Sequence, residues 1–358
     1  MPHTEALLRA TPFHAYIMKV ARLYSFGDIR IEEVSVPEVG PHEALVRTRA
    51  CGICSGDVMP WYIEKKAPLV IGHEPAGEIA ELGSRYAGPL RKGDPVFVHH
   101  HAPCMSCVHC LRGDYVQCGT WRRTGIVPGG VSEYIVVPEI NLRNDTLILP
   151  SEVSYEDGTL VEPAACVVKS LKRSRMKKGD TVLIIGLGVM GQMHVLLARE
   201  FGAGKIIGAD MVPFRLEKAL EFGADAVVNV SGEKLDEKMN EITNGLMADF
   251  VIVGPNSVEA MKVGLGMAAR GGTIMFFTPA KPGEFLTVDP NEIYFRDVSI
   301  ATSYSCGPED TREALSFISR GIVTAKKLVT HRFEIEETAR AYKLTSDAKG
   351  SLKSIIVF

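Results

Sequence analysis

The hydrophobic pattern changes character twice along the chain. Up to about residue 150, short apolar runs alternate with polar positions and are separated by Gly, Pro and Asp, which predicts a mostly β domain. Between about 155 and 300, apolar runs of strand length alternate with stretches of helical spacing. The predicted strands are 17–24, 29–36, 44–50, 78–82, 95–99 and 133–137, then 182–185, 206–209, 226–230, 250–253, 273–277 and 298–303.

Six strands joined by helical crossovers predict a doubly wound parallel sheet. Two helical patterns, 311–319 and 335–345, and a closing strand at 354–358 follow, and a complete six-stranded sheet has no place for them. The predicted fold is therefore α/β plus β, with a mainly β domain over residues 1–163, an inserted six-stranded Rossmann domain over 164–300, and a C-terminal return over 301–358 to the first domain. Residues 1–15 show no periodicity, and we expect a loosely held extension there.

A glycine turn marks the start of the second domain. Gly186, Gly188 and Gly191 form Gly-x-Gly-x-x-Gly where a buried strand becomes a helix. In a cofactor site the first glycine permits the sharp turn, the second lets the backbone approach a pyrophosphate, and the third allows close helix packing. The helix that starts at Val189 and Met190 would present free N–H groups to the phosphates. The alternative is a glycine-rich turn without a ligand.

The next apolar run ends at Asp210, about 20 positions after the glycine turn, where a ribose-binding carboxylate belongs. Such an acid accepts hydrogen bonds from the ribose hydroxyls and repels a 2′-phosphate. Residues 211–213 supply no cation to reverse this effect. The sequence therefore predicts NAD as the cofactor.

Composition and charge exclude several classes of protein. The 358 residues are 46% hydrophobic and 23% charged, with a net charge of −3 and a pI near 6.4, so neither nucleic acid nor an anionic membrane is expected as a partner. No apolar run reaches the ~18 residues of a membrane span, and residues 1–16 lack the layout of a secretory signal. We expect a cytoplasmic protein.

Four of the eight cysteines form a compact lobe within residues 99–119: Cys104, Cys107, Cys110 and Cys118. Four thiolates match the closed tetrahedral shell of structural Zn²⁺. An iron–sulfur cluster is the rival, but the ferredoxin pattern continues with x3-Cys-Pro and this one continues with x7-Cys-Gly. We therefore predict structural zinc.

A second group of residues combines thiolate, imidazole and carboxylate: Cys54, His73, Glu74 and Glu162. A mixed shell leaves Zn²⁺ able to exchange one position for water or substrate, as catalytic sites do. Taken singly, each residue has an ordinary explanation, such as a buried thiol, a core imidazole or an acid at a helix start.

The order of these motifs resembles the zinc-dependent medium-chain dehydrogenases, from about residue 17 onward. Gly72-His73-Glu74-x-x-Gly77-x5-Gly83 is similar to that family's zinc signature, the cysteine lobe matches its structural lobe, and the glycine turn falls where its cofactor fold begins. The resemblance implies a GroES-like catalytic domain and a homo-oligomer, either a tetramer or a dimer. It also implies catalytic zinc on Cys54, His73 and Glu74, with Glu162 as fourth ligand or as partner of the zinc-bound water.

Other residues refine the resemblance. Glu162-Pro163 is similar to the polyol and threonine branches, and Arg215 resembles the family's basic residue near the adenosine ribose. One departure concerns proton transfer, because Gly56 and Met59 stand where relatives commonly carry a hydroxyl and an imidazole. Ser55, Glu162 with a water chain, or a member of the run His99–His101 would have to take that role.

These features predict hydride transfer between a secondary hydroxyl and NAD, assisted by zinc as a Lewis acid. The expected substrate is a small polar alcohol, such as a polyol, a cyclitol or a threonine-like molecule. Trp61 and Tyr62 could line its pocket or pack under the β domain. The alternatives are an NADP(H)-dependent carbonyl reductase, a simple-alcohol dehydrogenase and, from another class, a non-catalytic zinc-binding interaction protein.

Overall fold

The computed structural model describes residues 16–358, and the extension predicted over 1–15 lies outside the described residues. The first part of the chain supplies strands that pair antiparallel in two sheets, together with the helices α1 to α5. Its elements are β1 (Ile17–Ser25), β2 (Asp28–Ser35), β3 (Ala44–Gly52), α1 (Pro60–Ile63), β4 (Leu69–Val70), β5 (Glu74–Leu82), β6 (Pro95–Val98), α2 (Val108–Leu111), β7 (Tyr134–Val137), α3 (Glu139–Asn144), β8 (Thr146–Ile148), α4 (Tyr155–Gly158) and α5 (Val161–Arg173).

Strands and helices then alternate, as the pattern predicts. The elements are β9 (Thr181–Ile185), α6 (Val189–Ala198), β10 (Lys205–Asp210), α7 (Pro213–Glu221), β11 (Ala226–Asn229), α8 (Leu235–Thr243), β12 (Ala248–Val253), α9 (Val258–Met267), β13 (Ala268–Phe276), α10 (Pro290–Arg296) and β14 (Ser299–Thr302). The chain ends with α11 (Pro308–Ser319), α12 (Ala325–Leu328), β15 (Val329–Glu334), α13 (Thr338–Asp347) and β16 (Lys353–Val357).

The second part forms one parallel sheet in the order β11-β10-β9-β12-β13-β14. Both faces of its central strand are covered, because Val182 and Ile184 lie in one core with α5, α6 and α11, while Leu183 lies in a second core with α8 and α9. Burial on both faces explains why the strand is an unbroken apolar run. This order is that of a doubly wound dinucleotide-binding sheet, so the predicted fold class is confirmed.

The closing strand joins the sheet of the first part. The seven-stranded sheet runs β15-β16-β3-β5-β6-β8, with β7 also pairing with β3. β16 lies antiparallel to β3, with Ile356 opposite Cys51. The boundary placed at residue 163 falls inside the continuous helix α5, so the limits of the domains stay predictions.

The structure differs from the predicted strands in the start of β5 and in three strands that were not predicted, β4, β8 and β15. β5 begins at Glu74 rather than at residue 78, because Glu74 to Gly77 are buried and paired with β3 although Pro75 and Gly77 look like breakers. β15 has only two buried positions, Val329 and Phe333, and the residues between them are half-buried or exposed. It therefore lacks the alternation of apolar and polar residues by which the other strands were predicted. Of the helices between residues 16 and 358, none is long and apolar enough to cross a membrane.

Candidate active site and metal centres

Three strands converge where the predicted catalytic residues lie. β3 ends just before Cys54, β5 begins at Glu74 directly opposite Gly52, and the Ile53 amide donates to the carbonyl of Ser354 in β16 at 3.1 Å. A Cβ atom on Gly52 would lie 2.0 Å from Glu74 Oε2 and 2.9 Å from Lys353 Cε. A glycine at this position is therefore what lets the two charged side chains approach each other over the strand.

Three of the four predicted catalytic ligands come together. The donor atoms of Cys54, His73 and Glu74 all lie within 4.8 Å of one another. Glu74 is fully buried, and its Oε1 has no hydrogen-bond partner, which leaves a carboxylate oxygen available to a cation. The combination of thiol, imidazole and carboxyl donors fits zinc, as a three-ligand site that keeps an open position.

An unpredicted acid positions the histidine. Asp57 is 5% exposed, and its Oδ2 lies 3.1 Å from His73 Nδ1. Carboxylates beside a zinc-ligating imidazole typically hold its orientation in this way. Burial disfavours the imidazolium, but the charges of Asp57 and Cys54 outweigh it and raise the pKa of His73 well above its usual value. The sequence signal was the spacing of Asp57 three residues after Cys54.

Lys353 is the second residue that the sequence did not reveal. It is 1% exposed, and its Nζ donates to the Ile53 carbonyl at 3.0 Å and forms an ion pair with Glu74 Oε2. Burial raises the pKa of Glu74, and the nearby Lys353 charge opposes that rise. Because Lys353 and Glu74 are far apart in the sequence, no local motif could have connected them.

Glu162 is separated from the other three predicted ligands. It lies in the first turn of α5 and is 5% exposed. Its carboxylate oxygen lies within 4.8 Å of the donor atoms of His99 and Cys306. Its charge nevertheless acts on Glu74, so the two clusters are neighbours. Its role as fourth ligand or as water partner stays a prediction.

The three successive histidines have different surroundings. His99 is buried beside Asp145, whereas the ring of His100 lies 4.8 Å from the ring of His73 and so reaches the metal cluster. His101 lies 4.4 Å from the Trp121 ring, also measured between centroids. Burial lowers the pKa of His100 well below its usual value and that of His101 to about 4. Both are therefore neutral hydrogen-bonding groups near pH 7.

The residues predicted to transfer the proton are Ser55, Glu162 and the run His99–His101, and each of them stays a prediction. Ser55 is exposed, and Gly56 carries no side chain beside Cys54. His100 Nδ1 is buried without a hydrogen-bond partner, so it can bind a substrate hydroxyl or a water.

The four cysteines of the lobe converge as predicted. Cys104 Sγ lies 3.9 Å from Cys110 Sγ and 3.6 Å from Cys118 Sγ, and Cys107 Sγ lies 3.6 Å from Cys110 Sγ. Hydrogen bonds from Ser106 lower the pKa of Cys104 to about 5, which favours the thiolate that zinc requires. The donor set fits a closed structural zinc site.

The glycine turn has the geometry that a pyrophosphate needs. Gly186 has φ +88°, and a Cβ atom on Gly191 would lie 2.1 Å from the Gly186 carbonyl oxygen. A Cβ atom on Gly188 would meet no atom within 4 Å, so open space remains beside the start of α6. Val189 and Met190 form the first turn of that helix, whose N–H groups have no partner within it. The turn therefore fits a dinucleotide phosphate group.

Asp210 lies at the end of β10 beside this turn. Its Oδ2 accepts a hydrogen bond from the Leu187 amide at 2.7 Å, and its Oδ1 accepts one from the Val212 amide at 2.9 Å. Arg215 Nη1 lies 3.5 Å from the same Oδ2, and Arg215 Nη2 donates to the Ala348 carbonyl at 2.8 Å. The predicted acid and base thus lie side by side at the expected ribose position.

Comparison with known proteins agrees with both halves of the structure. Residues 40–146 match the alcohol dehydrogenase GroES-like domain, and residues 189–320 match the zinc-binding dehydrogenase family. A sorbitol dehydrogenase of Bacillus subtilis (strain 168) is 31% identical over 359 residues, which cover 95% of this chain and 97% of that protein.

Solved structures show the same fold. A zinc-binding dehydrogenase from Sinorhizobium meliloti 1021, bound to NADP, superposes with a TM-score of 0.85 at 28% identity and covers 96% of this chain and 100% of its own. An alcohol dehydrogenase from Escherichia coli CFT073, in complex with NADH, has a TM-score of 0.85 at 27% identity. The match covers 96% of this chain and 99% of that chain.

The fold and the metal-binding side chains define a zinc-dependent oxidoreductase that uses a nicotinamide cofactor. The chain belongs to the zinc-dependent medium-chain dehydrogenase/reductase family, as its motifs indicated. A non-catalytic zinc protein is therefore not the correct interpretation.

Cys104→Ser should release one zinc ion per chain and lower the melting temperature by at least ~5 °C, because a closed thiolate shell contributes folding free energy. Metal analysis by mass spectrometry and a thermal melt measure both effects. The control is His109→Ala, an exposed residue of the same lobe. Unchanged zinc content and stability in Cys104→Ser would show that the lobe does not bind the metal.

Proposed function

We propose that this protein is a zinc-dependent, NAD-linked dehydrogenase of small polyols. The observation that supports it best is the position of the Cys54, His73 and Glu74 cluster. Met59 lies a few residues after Cys54, and its sulfur accepts a hydrogen bond from Asn256 at 3.4 Å. Asn256 lies just beyond the carboxyl end of β12. Ligands of doubly wound sheets bind at that edge, so a nicotinamide and a metal-bound substrate would meet there.

The protein's own groups would then orient the reactants. Asp57 holds the His73 ring, Lys353 holds one oxygen of Glu74, and the neutral His100 presents a nitrogen to a substrate hydroxyl. Zinc bound by this cluster would supply the Lewis acidity that lowers the pKa of the substrate hydroxyl.

The preference for a polyhydroxylated substrate follows from the polarity of the cleft. Two buried carboxylates, Glu74 and Glu162, lie near the metal cluster, and the half-buried Tyr62 adds a hydroxyl beside Tyr304. Trp61 packs edge-on against Tyr62, with ring centroids 5.9 Å apart, and is also half-buried. A buried polar cleft rejects ligands that leave its groups unpaired. The similarity to a sorbitol dehydrogenase supports the same class of substrate.

With NAD held constant, C4–C6 polyols such as sorbitol should exceed ethanol and benzyl alcohol in kcat/KM by at least ~10-fold, because plain alcohols leave the polar groups unpaired. The measurement is a panel of alcohols, polyols, inositols and threonine, followed by NADH absorbance. If ethanol or benzyl alcohol is the best substrate, the protein is a simple-alcohol dehydrogenase.

The panel needs a control that removes the metal cluster but keeps the cofactor domain. His73→Ala should lower kcat by at least ~100-fold on every substrate, while NAD binding, measured by fluorescence titration, is retained. A variant that lost NAD binding as well would be misfolded and would say nothing about the cluster, so Glu74→Gln serves as a second, milder change.

NAD preference rests on Asp210, although Arg215 beside it partly neutralises its charge. We expect kcat/KM with NAD to exceed that with NADP by at least ~10-fold, and Asp210→Ser should reduce this ratio by a similar factor, since it removes the carboxylate that repels a 2′-phosphate. Glu217→Gln, an exposed acid on α7, is the matched control for net charge. A wild-type ratio that favours NADP would contradict the assignment.

We also infer that the chain forms a homo-oligomer. Within the described residues, β14 pairs with β13 on one side, while its other edge has no neighbouring strand. Exposed apolar side chains lie on β14 and on the preceding helix α10. Ile300 is 43% exposed, Tyr294 77% and Phe295 69%. Large exposed apolar patches are typical of protein interfaces, and a second copy would cover this one.

Sedimentation velocity should accordingly show a multiple of the 39.0 kDa chain mass, and Ile300→Lys should shift it toward the monomer by placing a charge in the interface. Val108→Lys, in the cysteine lobe, is the control, because Val108 is also exposed but lies elsewhere. A wild-type monomer at micromolar concentration would contradict the inference. A cytoplasmic location stays a prediction.

A further inference from the structure

A space without a side chain lies beside Cys54. Gly56, two residues further on, belongs to the 3₁₀ turn Ser55–Val58. A Cβ atom on Gly56 would lie 3.5 Å from Cys54 Sγ, 3.8 Å from Met59 Cε and 4.0 Å from Tyr62 Cε1, which are ordinary contact distances. Cε1 is the ring carbon next to the one that carries the hydroxyl group. The phenol of Tyr62 therefore borders the space beside a predicted metal ligand.

The proposed function, on which this inference rests, needs a route for a proton. Oxidation of an alcohol breaks the C–H bond of the carbinol carbon and the O–H bond of its hydroxyl group. The hydrogen on carbon leaves with both electrons of its bond and reduces NAD⁺ to NADH. The hydroxyl hydrogen leaves as a proton, which must pass from the cleft to solvent. A polar side chain that borders the reacting hydroxyl can conduct it.

A wall of rings leads from the metal cluster to a second phenol. The ring centroids are 4.8 Å apart for His73 and His100, 4.2 Å for His100 and His101, 4.4 Å for His101 and Trp121, and 6.0 Å for Trp121 and Tyr304. Trp121 is buried, whereas Tyr304 is 54% exposed. The wall thus begins at a predicted zinc ligand and ends at a hydroxyl-bearing side chain that water reaches.

The two phenols meet at this end of the wall. The hydroxyl groups of Tyr62 and Tyr304 lie close enough to interact. Both residues are also held through their backbones, because the Tyr62 amide donates to the Met59 carbonyl at 3.0 Å and Lys169 Nζ donates to the Tyr304 carbonyl at 2.6 Å. Tyr62 thus connects the space beside Cys54 with a phenol that is exposed to solvent.

Lys66 places a positive charge over the Tyr62 ring. Its Nζ lies 3.8 Å from the centroid of that ring, and Lys65 Nζ lies 5.5 Å from the same centroid. A cation over an aromatic face is attracted to the electron density of the ring. Negative charge that develops on the phenol oxygen as it releases its proton is therefore stabilised by Coulomb attraction.

We propose that Tyr62 is a catalytic residue that transfers the hydroxyl proton of the substrate toward solvent by way of Tyr304. The Tyr62 oxygen accepts the proton of the substrate O–H group while its own proton passes to Tyr304 and from there to water. Water thereby receives the one proton that the oxidation releases. The phenol ends each transfer in the protonation state in which it began.

The surroundings of Tyr62 agree with such a relay. Burial raises the pKa of Tyr62 above its usual value, the charge of His73 opposes the rise, and that of Asp57 adds to it. The phenol is therefore protonated near pH 7, and a protonated hydroxyl can donate and accept at the same time. The charged and titratable groups that surround it are Cys54, Asp57, His73, Lys65, Lys66 and Tyr304.

Removal of a single hydroxyl group tests this role. Tyr62→Phe should lower kcat for the best polyol by at least ~100-fold near pH 7, because positioned proton transfer contributes about 10²–10⁴ in rate, while KM changes by less than ~3-fold. The loss should narrow as the pH rises from about 7 to about 9, because hydroxide then takes up the proton directly. A purely structural role would lower kcat by the same factor at every pH.

The space beside Cys54 offers a rescue. Gly56→Ser places a hydroxyl group there without a steric clash, so the double variant Gly56→Ser/Tyr62→Phe should regain at least ~10-fold in kcat over Tyr62→Phe. Tyr24→Phe is the matched control, since Tyr24 bears an exposed phenol that donates to Glu32 on β2, and it should keep the wild-type kcat. NAD binding, measured by fluorescence titration, checks that each variant is folded.

Two results would overturn the proposal. One is a kcat of Tyr62→Phe within ~3-fold of the wild type near pH 7, and the other is a loss of equal size at pH 7 and pH 9. Neither result touches the proposed function, which the wild-type panel decides separately. A wild type that oxidises no alcohol of the panel would contradict the proposed function and this inference with it.

Discussion

The buried ion pair between Glu74 and Lys353 organises the catalytic end of the molecule. A carboxylate and an ammonium taken out of water are stable only when they face each other and their remaining atoms find partners. Lys353 meets this condition with Glu74 and the Ile53 carbonyl, so the first residue of β16 is held against the ends of β3 and β5. The pair thereby positions the Glu74 carboxyl group and leaves its Oε1 atom without a hydrogen-bond partner, as a predicted metal ligand requires.

The space for this pair depends on one residue without a side chain. Gly52 lies opposite Glu74 in the β3–β5 register, and any Cβ atom there would collide with the carboxylate. The same register also fixes the position of Cys54, which lies two residues after Gly52. Backbone pairing and side-chain chemistry are therefore coupled, because a shift of the register would move thiol and carboxylate away from each other.

A second principle recurs around two histidines near the candidate active site. His73 and His99 each have an acid beside Nδ1, Asp57 in one case and Asp145 in the other. A carboxylate beside Nδ1 holds the orientation of such a ring, and burial lowers the pKa of the neighbouring His100, which can serve as a neutral hydrogen-bonding group. The polar groups of the cleft are thus held in place before a ligand arrives, which reduces the cost of reorganisation on binding.

Local pattern was sufficient for the features that depend on neighbouring residues. The apolar run into Gly186, the cysteines between Cys104 and Cys118, and the alternation of strands and helices were all predictable, because the chemistry and the spacing lie within one short segment. Cys54, His73 and Glu74 required a resemblance to a known family in addition, since a thiol 19 residues before a histidine and 20 before a glutamate carries no spacing rule of its own. Tertiary structure alone decided the rest. It paired Lys353 with Glu74, placed Asp57 beside His73, and brought the Glu162 carboxylate close to His99 and Cys306, because strand register and helix packing bring together residues that no short sequence motif connects.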